Sequence, residues 1–276
     1  PQNYLNDQYD YDKKIIDRLL TDPNLPSKPD VFVQITVPNE FQAIGKYNIG
    51  ITAGIETTLA AAPWIEGCNR MDLVLTSSEH SKKVLEESVW QKVDEKTKQP
   101  VGNIKLEKPI QVLFEGEDIT TYNKTNTLHK SVLDDLEQVV EPFAFLFVGH
   151  WLKGDFGEDR KNISAMIKVF LETFKNKGKT KRPALILKTS TSDFSPLDKK
   201  EILNKIKQIY DSVSGGLRPL PNIYLVHGDL TNDEMNSLYN HPKVRAHITF
   251  TKGEGYGRPL AEASLSEKPI IAPVWG

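Results

Sequence analysis

Apolar residues in the second half of the chain follow two alternating patterns. Short apolar runs of strand length at 143–148, 184–187, 223–226, 246–250 and 270–272 are separated by stretches with helical spacing. Ile163, Ile167, Phe170 and Phe174 are spaced 4, 3 and 4 apart, and Ile202, Ile206, Ile209 and Val213 repeat that spacing. Thr231 followed by Glu234 has the capping-box interval ahead of Met235, Leu238 and Tyr239. Strand and helix in repeated alternation predict right-handed crossovers and a parallel sheet covered on both faces. Ligands of such sheets bind at the carboxyl ends of the strands. Those ends carry Gly149-His150, Lys188-Thr189-Ser190, His227-Gly228 and the segment from Thr251 to Gly257.

The first half is less regular. Runs at 31–37, 49–52, 73–75 and 110–114 read as strands, 78–88 as a helix, and 13–20 as a helical pattern through Ile16, Leu19 and Leu20. Residues 91–109, rich in Lys, Gln and Pro, read as a surface excursion, and a short helix near 132–140 leads to Pro142. The expected division is an amino-terminal domain over 1–130 and a carboxy-terminal domain over 131–276.

Composition narrows the classes. The formal net charge is −2, from 35 basic and 37 acidic residues, so nothing favours a nucleic-acid partner. The single cysteine, Cys68, excludes an internal disulfide and a cysteine-rich zinc site, and a reducing, cytoplasmic location is the expectation. No apolar run approaches the ~20 residues of a membrane-spanning helix. The chain lacks an initiator methionine and stops just after a strand, so it reads as a fragment missing both ends of a longer protein.

The chemistry concentrates between Gly253 and Glu262. Glu254 and Glu262 flank a glycine turn and a helix start at Pro259, where the missing proline N–H costs least. The amides of Gly255, Tyr256 and Gly257 would lie at the positive end of that helix, ready for an anion. One ligand could offer hydroxyls to both carboxylates and a phosphate to the amides, the outline of a nucleotide-sugar.

The stretch Glu254 to Ala263, EGYGRPLAEA, resembles the E-x7-E signature (EGFGLPLLEA) of the group 1 retaining glycosyltransferases with the GT-B fold. Residues 268–273 resemble that family's next strand, and 52–57, 72–80 and 110–118 resemble parts of its amino-terminal domain. The resemblance implies an α/β protein of two facing, doubly wound Rossmann-like domains, the first on the acceptor side and the second holding the donor. It also implies roles. Glu254 would contact the donor sugar and Glu262 the ribose, with Gly255, Tyr256 and Gly257 at the phosphates. Gly149 would begin the phosphate loop. Lys161 would neutralise the departing diphosphate, with Lys153 as a rival. The family's arginine after the first strand is replaced here by His150, so Arg160, Lys188 and Arg258 are candidates for the missing charge. His227 stands where the family's loop passes the base, although a structural histidine also fits. Glu56 and Thr57 are candidates on the acceptor side. His80 reads as part of a helix cap, and Trp64 as core.

Asp10-Tyr11-Asp12 has the D-x-D spacing of metal-dependent glycosyltransferases of another fold, but no strand precedes it, and the chemistry is expected to be metal-independent and without a cofactor. The implied function is retaining transfer of a hexose from a nucleoside-diphosphate sugar to a hydroxyl of a glycan, lipid or small molecule. A lipid acceptor would bring peripheral membrane contact. Two alternatives stand beside it: a non-hydrolysing sugar-nucleotide epimerase, and a module that binds the nucleotide-sugar without turnover.

Overall fold

The computed structural model describes residues 5, 8–20, 22, 24–25, 27–94, 96–152, 156–214 and 219–274. They form two compact units. One holds the described residues up to Thr52 together with Ala61–Leu75 and Ser88–Gln111; the other holds Ala53–Ala60, Thr76–Glu87 and everything described after Val112. Residues 112–130, placed above with the amino-terminal domain, thus cluster with the second unit.

In the first unit an exposed helix α1 (Asp10–Ile16) carries Asp10 and Asp12 in its first turn. Strands β1 (Val31–Ile35) and β2 (Tyr47–Thr52) pair in parallel, Val31 opposite Tyr47 and Ile35 opposite Ile51. Helix α2 (Ala62–Cys68) starts with a proline in its first turn and buries Ile65 and Cys68; Phe41, Met71 and Val74 are also buried in this unit. Trp64, on the same helix, is half-buried. Strand β3 (Leu73–Thr76) leads to helix α3 (Glu79–Glu87) of the second unit. The expected surface excursion is an antiparallel hairpin of β4 (Trp90–Val93) and β5 (Pro100–Ile104). Its residues are exposed almost throughout, so no alternation of apolar and polar positions announced it. Strand β6 (Ile110–Val112) completes a sheet of order β1-β2-β3-β6.

The second unit follows the predicted alternation closely. After α4 (Lys130–Glu137) come β7 (Ala144–Val148), α5 (Ile163–Phe174), β8 (Ala184–Lys188), α6 (Pro196–Ser214) and β9 (Ile223–Val226). Then follow α7 (Asn232–Asn240), β10 (Val244–Ile248), α8 (Arg258–Leu265) and β11 (Ile270–Ile271). The strands pair in parallel in the order β11-β10-β7-β8-β9. Successive residues point to opposite faces of a strand. Phe147, Leu185 and Leu187 therefore pack with Ile163, Ile167, Phe170, Ile202 and Ile209 of α5 and α6. Ala144, Leu146, Ala184 and Ile186 join Leu136, Leu238, Tyr239 and Ala263 of α4, α7 and α8. Both faces are dry, so the strands read as continuous apolar runs.

The order also fixes where a crevice opens. From β7 the chain steps one way to β8 and β9, then crosses back to β10 on the other side. The loops leaving β7 and β10 diverge at that reversal, the position at which open α/β sheets bind ligands. Among the described residues no helix is long and apolar enough to cross a membrane.

Candidate functional site

The reversal point carries a cavity of about 510 Å³ lined by Gly149, His150, Arg160, Lys161, Lys188, Ser190, Phe194, Asp229, Tyr122, Arg258, Pro259 and Glu262, among others. Four basic side chains (Arg160, Lys161, Lys188 and Arg258) face two acidic ones, Asp229 and Glu262.

Helix α8 forms the cavity's wall. Gly257 is its N-cap with φ +85°, a left-handed backbone open to glycine at little cost. The first intrahelical bond is donated by Leu260 N–H to the Gly257 carbonyl at 2.8 Å. The amides before it, Gly257 at the N-cap and Arg258 at the first helical position, are donors that a helix start leaves without internal partners. Tyr256 sets its ring edge-on against Phe114, centroids 5.8 Å apart. The carbonyl of Gly255 accepts a bond from Ser77 Oγ at 3.1 Å.

Glu262, one turn into α8, is 4% exposed. Its Oε2 accepts the Tyr239 hydroxyl at 2.8 Å and its Oε1 the Arg258 guanidinium at 2.9 Å. Burial and the adjacent Glu262 charge push the Tyr239 phenol well above its ordinary pKa, so it remains a donor. Tyr122, beside them, is pushed up to about 12 for the same reasons. A carboxylate has about four acceptor positions. Tyr239 and Arg258 fix the group's orientation and leave capacity for hydroxyls.

Glu254 is held by two cations. Its Oε1 meets Lys161 Nζ, and its Oε2 lies 3.5 Å from Arg160. It lines a neighbouring cavity with Ser77, Thr251, Gly255 and Tyr256, so the Lys161–Glu254 pair stands where the two spaces meet. Lys161 precedes α5, whose N-cap Asn162 adopts the left-handed conformation at φ 53°. Asp159 closes that helix start, its Oδ1 accepting from Ile163 N–H at 3.1 Å. Arg160 is the tie at the centre: it donates to the Gly253 carbonyl at 2.7 Å and lies 3.6 Å from Glu56. A Cβ on Gly253 would come within 2.3 Å of the Glu56 Cβ, so glycine is what lets the two segments approach.

Lys188 ends β8, donates to the Gly228 carbonyl at 2.5 Å and lies 4.6 Å from the Phe194 ring centroid. Burial lowers its pKa, countered in part by Asp229. His150 is exposed, its Nδ1 2.9 Å from Ser190 Oγ. His227 does not line the cavity. It is sequestered with Nε2 2.8 Å from Asp198 and its ring edge-on to Phe194. Thr57 is exposed, its Oγ1 donating to the carbonyl of Leu59 on the same loop at 3.1 Å. His80 places Nε2 3.2 Å from the Thr57 carbonyl. Lys153 lies outside the described residues. Arg160 as a tether, Tyr239 beneath Glu262, and the Gly253–Glu56 approach were not foreseen as site features; each depends on a contact distant in sequence.

Parallel α/β units with a cavity at the strand-order reversal are doubly wound folds, and comparison with solved structures places this one in the GT-B fold. Sucrose-phosphate synthase from Thermosynechococcus elongatus matches with TM-score 0.58 at 12% identity, over 90% of this chain and 56% of that one. Trehalose-6-phosphate synthase from E. coli, bound with UDP-2-fluoro glucose, matches with TM-score 0.56 at 11% identity, over 83% and 53%. HepE from Anabaena, in complex with UDP and glucose, matches with TM-score 0.51 at 14% identity, over 83% and 53%. The chain thus spans about half the length of these structures. No family model and no curated protein matches its sequence.

Proposed function

We propose that this chain carries the donor site of a retaining glycosyltransferase that moves a hexose from a nucleoside diphosphate to a hydroxyl acceptor. The observation that carries the reading is the convergence of Arg160, Lys161, Lys188 and Arg258 on a cavity walled by α8 and lined by Glu262. Glu262 takes the ribose hydroxyls, the amides at the start of α8 and the four cations take the diphosphate, and Glu254 takes hydroxyls of the sugar. As the bond from the anomeric carbon to the diphosphate breaks, negative charge grows on the leaving oxygen, where Lys161 stabilises it. The acceptor oxygen bonds to the same face of that carbon and gives its proton to the departing phosphate. No enzyme nucleophile enters, so the protein contributes position and fixed charge. Nucleotide-sugar serves as co-substrate, and the side-chain cations do what a metal ion would otherwise do. Turnover is therefore expected to survive EDTA.

UDP and UDP-sugars, present in the Anabaena and E. coli structures, are the first donors to test. Calorimetric titration with UDP-glucose and its relatives, followed by a product assay with sugar and lipid hydroxyls, checks the reading. Absence of binding by every nucleoside diphosphate tried would remove it. A second reading, a module that binds without turnover, is favoured by the exposed imidazole of His150 where the related enzymes' motif has arginine. Binding without transfer or donor hydrolysis decides for the module.

A further inference from the structure

At the opposite ends of β7 and β8, the amino-terminal ones, lies a groove of about 340 Å³ lined by Pro142, Phe143, Phe145, Phe174, Lys181 and Arg182, among others. Its apolar wall is built from interlocked rings. Phe143 meets Phe145 edge-on at 5.1 Å, and Phe145 lies 6.0 Å from Phe174. Phe143 nonetheless remains 41% exposed and the nearby Val140 76%. The segment joining α5 to β8 reads Lys-Asn-Lys-Gly-Lys-Thr-Lys-Arg over 175–182, without one acidic residue. Arg182 is committed to the carbonyls of Pro219 and Leu220. Among the described residues no ion pair engages Lys175, Lys177, Lys179 or Lys181. A concentrated positive charge thus borders exposed apolar surface, on a chain whose total charge is −2.

We propose that this face docks on an anionic lipid bilayer, the four lysines against headgroups and Phe143 with Val140 in the interfacial layer. The proposal is independent of the donor site. Juxtaposed lysines and apolar side chains are what such a surface recognises. A nucleic acid fits less well: the rings are turned edge-on to one another instead of offering flat faces to bases.

Co-sedimentation of the 276-residue chain with vesicles tests it. Phosphatidylcholine containing about one quarter phosphatidylglycerol should retain the protein and pure phosphatidylcholine should not, a contrast that follows from surface potential. Each lysine contributes about fivefold to partitioning, so replacing all four by Gln should lower it by nearly three orders of magnitude, about 600-fold. The pair Lys179→Glu with Lys181→Glu, which makes the same change in charge with two substitutions, should lower it in the same direction. Phe143→Trp should add a blue-shifted emission component on anionic vesicles, and none with soluble polyphosphate. Failure to bind anionic vesicles overturns the proposal, as does unchanged binding by the lysine variants. So does equal binding to an RNA oligonucleotide or polyglutamate without the emission shift, which would mark a soluble partner.

Discussion

Glu254 and Glu262 carry the same functional group in different company, and the company sets what each replacement does. Glu254 pairs with Lys161 and Arg160, so Glu254→Gln takes the ion-pair partner from Lys161, leaves Arg160 with Glu56 and the Gly253 carbonyl, and removes the charged acceptor from the sugar. Turnover should fall by about two to three orders of magnitude, the loss seen when an oriented polar group is removed from a reacting centre. Nucleotide affinity measured by calorimetry should change by less than about threefold, since that term is separate from the chemical step. Glu262→Gln should do the reverse. Losing charge-assisted hydroxyl bonds of about 1.5–3 kcal/mol weakens nucleoside-diphosphate affinity at least about tenfold. If the two variants behave alike, the division of labour is wrong. Lys161→Ala should lower turnover about 10²-fold with a smaller effect on the donor Michaelis constant; steady-state kinetics beside Lys188→Ala will show which lysine serves the leaving group.

At the scale of elements, local signals that close within a few residues are realised and long-range ones are not foreseen. The capping box on α7 is complete: Thr231 Oγ1 accepts from Glu234 N–H at 3.3 Å, and Glu234 Oε2 accepts from Thr231 N–H at 2.9 Å. Thr231→Ala should cost about 1 kcal/mol, readable as a lower midpoint in urea unfolding with an unchanged slope. The strand–helix alternation of the second unit was readable because both faces of its sheet are buried, which makes whole strands apolar. The hairpin of β4 and β5 was unreadable for the opposite reason, being exposed on nearly every residue. Helix α2, of seven residues, is too short to establish a period. The motif around Glu254 placed the glycine turn and α8 to within a residue or two. The partners of its carboxylates could not be read: Arg160 and Tyr239 are 94 and 23 positions away from theirs, and His227 sat at a strand end yet faces Asp198.

The molecule as a whole should respond to acid in two stages. Burial holds His241 and His247 at about 4, against an ordinary value of 6.5. Both are then neutral in the fold while the unfolded chain takes up protons below pH 6.5. Their contribution is fully present above that pH and is lost as pH falls from 6.5 towards 4, on the order of 3 kcal/mol for each. Urea midpoints at pH 7.5, 6 and 4.5 should decline accordingly, and His241→Gln should flatten the decline. Asp198 enters later. Burial opposes its ionisation, but hydrogen bonds from Thr191, His227 and the Thr191 and Ser192 amides outweigh that and hold it at about 2. Its share persists above about pH 4 and disappears as pH drops through 2. One further property follows from the common direction of β7, β8 and β9. Each is only four or five residues long, about 13–16 Å at the rise of a parallel strand. The second unit therefore has a head and a tail, and whatever grips it by the tail leaves the head facing the other way.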